Sequence, residues 1–218
     1  MNAYRLAAFD LDGTILNTLD DLAAATNHVL SENGLPLRST EEVRSFVGNG
    51  IRKLIERAVP EGSPESLTEQ LYREFLPYYQ AHCFDRTLPY PGIPEALQKL
   101  KEEGYLLAVL SNKADPAVQE LCDRYFPALF DFSAGERPGV PKKPAPDALL
   151  SAIRELGVAP GETVYIGDSD VDIATAKNAG VPCISVYWGF RSLSFLKEHG
   201  AGATVGTPEE LLKRLLAL

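Results

Sequence analysis

Apolar runs of strand length recur along this chain and alternate with stretches whose apolar residues return every three or four positions. Leu6-Ala7-Ala8-Phe9 is the first such run, and the runs together predict strands over 4–9, 105–110, 130–133, 163–166 and 182–187. The periodic stretches between them predict helices over 93–103, 114–125, 145–156 and 170–179. Strands alternating with helices of this length predict an α/β protein, a doubly wound parallel sheet built from strand-helix units. Gly104, Gly157 and Gly180 stand just past the last turn of three of the helices, where a residue with positive φ often ends the helix.

From Thr14 to about Leu88 the period is helical throughout. Leu19, Leu22, Ala23, Thr26, Val29 and Leu30 line one face of a first helix. Ser39-Thr40-Glu41-Glu42 has the spacing of a capping box for a second. Ile51, Leu54, Ile55 and Ala58 stripe a third helix, and Leu67, Leu71, Phe75 and Tyr78 a fourth. The expected division is therefore an α/β core over 1–15 and 88–218 with an inserted all-helical domain over 16–87. The crossings near 15–18 and 84–90 are the expected hinges, and Pro91-Gly92 marks the return to the core.

Chemistry enters at the ends of the strands. In Phe9-Asp10-Leu11-Asp12-Gly13-Thr14, alternation along an extended chain puts the Asp10 and Asp12 carboxylates on one side, where they repel unless a cation or a shared proton compensates them. A hard divalent ion suits that place, and a polar Asp-Gly turn closing a strand is the alternative. Three more segments repeat the arrangement. Val109-Leu110-Ser111-Asn112-Lys113 is an apolar run ending in a hydroxyl and an amide, which serve as phosphate donors or as a helix cap. Lys143-Pro144-Ala145-Pro146 offers a cation in a proline-rich loop, a site group or a surface charge. Gly167-Asp168-Ser169-Asp170-Val171-Asp172 places carboxylates before a helix, as metal ligands or as favourable N-terminal charge. In a doubly wound sheet, ligands bind outside the carboxyl ends of the strands, so segments 10–14, 111–113 and 167–172 converge there.

Taken in order, these four segments resemble the four motifs of the haloacid dehalogenase superfamily, in the Asp-x-Asp-Gly-Thr form that marks its phosphatases and mutases. The resemblance implies a Rossmann-like core with a helical cap that closes over the active site and contributes to substrate choice. It implies Asp10 as the nucleophile that forms an aspartyl-phosphate, and Asp12 as the acid that protonates the leaving oxygen and later activates water. Ser111, Asn112 and Lys143 would bind phosphate, with Lys143 also paired to Asp10. Mg²⁺ would be held by the Asp10 carboxylate, the Asp12 backbone carbonyl and Asp168, with Asp172 holding a metal-bound water. Two finer segments, Phe46-Val47-Gly48-Asn49-Gly50-Ile51-Arg52 and Tyr187-Trp188-Gly189-Phe190-Arg191, resemble the phosphoglycolate phosphatase branch. That likeness implies 2-phosphoglycolate as substrate; the Arg52 guanidinium suits bidentate contact with its carboxylate, a solvated helix arginine being the alternative, and Arg191 and Lys113 are further candidate contacts. A 5′-nucleotidase, a generalist sugar-phosphate phosphatase and a β-phosphoglucomutase-like mutase are the alternatives, because one core serves many substrates.

Composition narrows the partners. The 218 residues are 45% hydrophobic, enough to fill a core, and 21 basic against 30 acidic residues give a net charge of −9. That balance disfavours nucleic acid and anionic membranes, so an anionic metabolite must meet a local positive patch. No apolar run has transmembrane length and no signal-peptide pattern precedes the first strand, so a cytoplasmic monomer or homodimer is expected. Cys83, Cys122 and Cys183 are widely spaced and read as reduced, buried thiols. His28, His82 and His199 lack partners at ligand spacing. Lys53 reads as a surface charge, Tyr78 and Tyr79 as packing of the helical insert, and Trp188 with Phe190 as the anchor of a turn.

Overall fold

A computed structural model describes residues 4–217, so the first three residues and the last one, all assigned to the core above, lie outside the described residues. Six strands form one parallel sheet. They are β1 (Leu6–Phe9), β4 (Leu106–Ala114), β5 (Phe132–Glu136), β6 (Thr163–Gly167), β7 (Cys183–Val186) and β8 (Ala203–Val205), and they lie in the order β5-β4-β1-β6-β7-β8. The chain leaves β1 toward one edge and returns to fill the other, so the order reverses between β1 and β6. That reversal is the crevice where such sheets bind ligands. Strand β1 pairs Ala8 with Ala108 on one side and with Tyr165 on the other. Covered on both faces, β1 and β6 are buried at every position, which explains their unbroken apolar runs.

Helices α5 (Ile93–Glu102), α6 (Asp115–Tyr125), α7 (Asp147–Glu155) and α8 (Asp170–Ala179) stand within a few residues of their predicted spans. Gly104, Gly157 and Gly180 all have positive φ, as the helix-ending reading requires. The largest boundary difference is β4, which runs past Leu110 through Ser111, Asn112 and Lys113 to Ala114. The pattern broke off there because those three polar residues are buried, a situation hydropathy does not encode. Strand β8, α9 (Leu193–Glu198) and α10 (Pro208–Leu216) had no predicted counterparts, β8 and α9 being short, while the Leu211 and Leu215 stripe of α10 was a signal passed over.

The chain divides into two compact units, one of residues 4–16 and 89–217 and the other of residues 17–88. The crossings fall in two short strands, β2 (Leu16–Asn17) and β3 (Leu88–Pro89), which pair in a separate sheet. The second unit is built on α1 (Leu19–Glu32), α2 (Thr40–Phe46), α3 (Ile51–Ala58) and α4 (Glu65–His82). All six residues of the predicted α1 stripe are buried. In α4 the buried face is Thr68, Leu71, Phe75 and Tyr79, while Tyr78 turns aside to stack on His28 with ring centroids 3.7 Å apart. Buried Asp21 in the first turn of α1 accepts from the backbone N–H groups of Arg86 and Thr87 and from the Thr87 hydroxyl at 2.8–3.1 Å, fastening the returning segment to the start of the unit.

The α2 capping box is complete. The Glu42 N–H donates to Ser39 Oγ at 3.2 Å, and the Ser39 N–H donates to Glu42 Oε2 at 2.8 Å. Ser39→Ala leaves the Glu42 N–H without its side-chain acceptor and is expected to cost about 1 kcal/mol. Thermal denaturation followed by circular dichroism should show Tm falling about 2–4 °C for that loss, and Ser39→Asp should retain most of the stability.

Candidate active site

The site begins where β1 ends. The Asp10 N–H donates to the Ile166 carbonyl at 2.9 Å, and the chain then wraps around the Leu11 carbonyl, which accepts from the N–H groups of Thr14, Ile15 and Leu16 at 3.0–3.3 Å. Gly13 takes φ +85°, and a Cβ there would overlap the Asp168 carboxylate. Glycine is therefore required at position 13 both by conformation and by close approach. Asp10 ends up buried, with Oδ1 accepting from the Leu11 N–H at 2.7 Å and from Lys143 Nζ at 2.8 Å.

Lys143 is the hub. Its buried ammonium lies 2.8 Å from Asp10 Oδ1, 2.8 Å from Asp172 Oδ1 and 3.0 Å from the Tyr165 hydroxyl, one acceptor for each proton. Asn112 holds the lysine's backbone from both sides, with Nδ2 donating to the Lys143 carbonyl at 3.0 Å and Oδ1 accepting the Lys143 N–H at 2.9 Å. Asp172 completes its set at the start of α8, where Oδ2 accepts the Ser169 N–H at 3.1 Å and the Ser169 hydroxyl at 2.5 Å. Asp172 is thus a helix-capping residue and a lysine partner at once.

Asp168, at the carboxyl end of β6, accepts the Phe190 N–H on Oδ2 at 2.6 Å. Asp10, Asp168 and Asp172 are all buried, and each brings a carboxylate oxygen within 4.8 Å of the other two, the single such group of potential ligands among the described residues. The Lys143 ammonium reaches two of these three buried carboxylates, which leaves negative charge uncompensated. Burial, then the charges of Asp172 and Asp10, hold the Asp168 carboxyl well above the usual carboxylate range. Burial is also the main cause that raises Asp10 to about 7, with the Asp172 charge adding to it and Lys143 opposing both. An all-oxygen donor set with excess negative charge fits a hard divalent cation.

Asp12 sits beside this group with Oδ1 2.7 Å from the Lys113 ammonium, a lysine that is 3% exposed. The Ser111 hydroxyl accepts the Lys113 N–H at 3.2 Å, which leaves its own proton for a ligand. The structure therefore brings Asp10, Asp12, Ser111, Asn112, Lys113, Lys143, Asp168 and Asp172 to the carboxyl ends of three neighbouring strands. Three of the contacts expected from the sequence also have partners within the protein. The Asn112 side chain holds the Lys143 backbone and so positions the lysine loop. Lys113 is engaged by Asp12, and Arg52 is fastened within the helical unit to Glu69 at 2.6 Å and Glu65 at 2.9 Å. The Lys113 side chain is buried in its pairing, whereas Arg52 keeps 42% of its side chain exposed.

Tyr165 was missed. The signal was a tyrosine in an otherwise aliphatic buried strand, whose hydroxyl must find a partner inside the protein. The histidines stayed outside the chemistry, His28 stacked on Tyr78 and His82 bonded to Asp85 at 2.8 Å. Lys53 pairs with Glu56 on the surface, as expected of a solvated charge.

This fold and site place the chain in a family. A haloacid dehalogenase-like hydrolase model matches residues 7–186, and the chain belongs to that family. Among its curated relatives, the phosphoglycolate phosphatase of Pseudomonas putida is 34% identical over 220 residues, covering 98% of this chain and 78% of that protein. The phosphoglycolate phosphatase of Aquifex aeolicus is 31% identical, covering 96% and 95%. A solved structure of a candidate phosphoglycolate phosphatase from Lactobacillus delbrueckii is 37% identical and superimposes with a TM-score of 0.94 over 99% of both chains.

The raised Asp10 value has a consequence for the metal-free protein. A carboxyl that titrates near 7 when folded and near 3.8 otherwise contributes stability that is present below 3.8 and lost as pH rises through 7. Asp10→Asn removes that loss. In chelator, the variant should melt with wild type near pH 4 and above it at pH 8, by several degrees, each kcal/mol being worth about 2–4 °C. Equal Tm differences at both pH values would refute the buried-charge account.

Proposed function

We propose that this protein is a Mg²⁺-dependent phosphatase that hydrolyses a small phosphomonoester, 2-phosphoglycolate foremost, through an aspartyl-phosphate on Asp10. The observation that carries the reading is the Asp10 carboxylate held against Lys143 in a buried carboxylate cluster, with Asp12 two residues away on its own lysine. The named relatives support the choice of substrate. Asp10, Asp168 and the Asp12 backbone carbonyl would hold Mg²⁺, with Asp172 supporting it through water. When bound, the ion supplies positive charge that offsets the carboxylates and polarises the phosphoryl oxygens.

The residues then divide the reaction. Asp10 Oδ1 is pinned by Leu11 and Lys143, and Oδ2 attacks phosphorus as the bond to the leaving alkoxide breaks. Asp12, as the general acid, delivers a proton to that alkoxide, and an aspartyl-phosphate remains. Asp12, now a carboxylate, takes a proton from water, the resulting hydroxide oxygen attacks phosphorus, and the Asp10 carboxylate leaves with its electron pair. The Lys143 ammonium balances charge on the equatorial oxygens, and the Ser111 hydroxyl donates to one of them. The helical unit of residues 17–88 is read as the cap of this family, and no described helix is long and apolar enough to cross a membrane, in keeping with a cytoplasmic enzyme.

Phosphate release measured across 2-phosphoglycolate, nucleoside monophosphates and hexose phosphates tests the reading. The expected result is the highest kcat/KM on 2-phosphoglycolate, with activity abolished by chelator and by Asp10→Asn. Asp12→Asn should lower kcat by about 10²–10⁴-fold with KM little changed, since proton transfer is worth that much. Comparable rates on every ester would retire the substrate, and unchanged turnover in Asp12→Asn would remove it from the mechanism.

A further inference from the structure

The turn after β7 touches both halves of the site, and its residues have no part in the chemistry above. It is held at either end. The Tyr187 N–H donates to the Val205 carbonyl at 3.2 Å, and Ser192 caps α9 by accepting the Phe195 N–H at 3.2 Å. Between these anchors, three consecutive residues reach the loops that follow β1 and β6. The Trp188 indole Nε1–H donates to the Thr14 carbonyl at 3.0 Å. Gly189 packs so closely that a Cβ there would overlap both the Gly13 carbonyl and the Asp168 carboxylate. The Phe190 N–H takes up Asp168 Oδ2 at 2.6 Å, and the buried Phe190 ring closes against Gly13.

A turn that only completes the sheet edge has no reason to place an indole donor, an obligatory glycine and a backbone donor on two loops from opposite sides of the reversal in strand order. We propose that the Trp188-Gly189-Phe190 turn is a positioning strap that locks the Asp12–Thr14 loop and the Asp168 carboxylate into one geometry before the metal arrives, and so sets the metal affinity of the site. Its elements act on different atoms. Phe190 commits Asp168 Oδ2 and fixes the carboxylate plane, which leaves Oδ1 for the ion. Trp188 fixes the loop that carries the Asp12 carbonyl. Outer partners of metal ligands act this way in general, by removing the freedom the ligands would otherwise lose on binding.

The inference rests on the Mg²⁺ site proposed above, and it is tested by a readout that needs no turnover. Mg²⁺ is titrated calorimetrically into wild type, Trp188→Phe and Gly189→Ala, well below each Tm, with Tm measured in chelator. Trp188→Phe keeps an aromatic ring and removes the indole donor together with the second ring, so its affinity is read beside its Tm in chelator, and it decides the matter if Gly189→Ala fails to fold. Ser39→Ala, in the helical unit, serves as a control of reduced stability with an intact strap. The expected result is Mg²⁺ affinity about 10-fold weaker in Trp188→Phe and up to about 100-fold weaker in Gly189→Ala, with the control at the wild-type value. Affinity equal to wild type in Trp188→Phe, whatever its Tm, would reduce the turn to a fold element and overturn the proposal, as would a wild-type protein that takes up no Mg²⁺. Failure of the phosphatase reading is a different outcome, wild type that binds Mg²⁺ and releases no phosphate.

Discussion

The site of the core unit answers to one constraint, the burial of three carboxylates with a single ammonium that reaches two of them, at the carboxyl ends of β1 and β6. Unpaired, each buried charge would cost several kcal/mol. The fold meets the cost piecemeal. Lys143 shares its three protons among Asp10, Asp172 and Tyr165, the N-terminus of α8 takes up Asp172 through Ser169, and the Phe190 N–H takes up Asp168. Burial first, and then the mutual repulsion of the carboxylates, holds Asp10 and Asp168 above the ordinary carboxylate range, and that leftover charge is what a divalent cation would neutralise. A site so arranged spends stability to be ready for its ligand, which is the usual trade at functional centres.

The same constraint explains why polar side chains deep in the core fall where they do. Asn112 is spent on the backbone of the lysine loop, Tyr165 on the lysine head, Ser169 on Asp172 and Trp188 on the loop that follows the nucleophile. Each is a polar group that must be satisfied once buried, and each is satisfied by a member of the site or by the loop that carries one. Packing and chemistry therefore share residues. Glycine marks the places where the elements come closest, Gly13 and Gly189 meeting across the Asp168 carboxylate with no room for a Cβ on either.

The helical unit shows the opposite economy. Three of its cations are matched by local carboxylates and carbonyls, Arg52 by Glu65 and Glu69, Lys53 by Glu56 and Arg57 by the Phe46 carbonyl. Arg52 thereby cross-links α3 and α4.

The amino-acid sequence by itself determined the alternation of strand and helix, the helical insertion, the complete capping box at Ser39 and the four segments that hold the chemistry. These are local matters, governed by periodicity and by the backbone needs of turns, and they survive any tertiary context. Tertiary structure alone decided that Lys143 joins two aspartates and a tyrosine, that Lys113 belongs to Asp12, that Asn112 supports a loop, and that the Trp188 turn reaches Thr14 and Asp168. Those pairings join residues as much as 174 positions apart. A side chain's spacing along the chain says what it could donate or accept, and only the packed sheet says which partner lies within 3 Å.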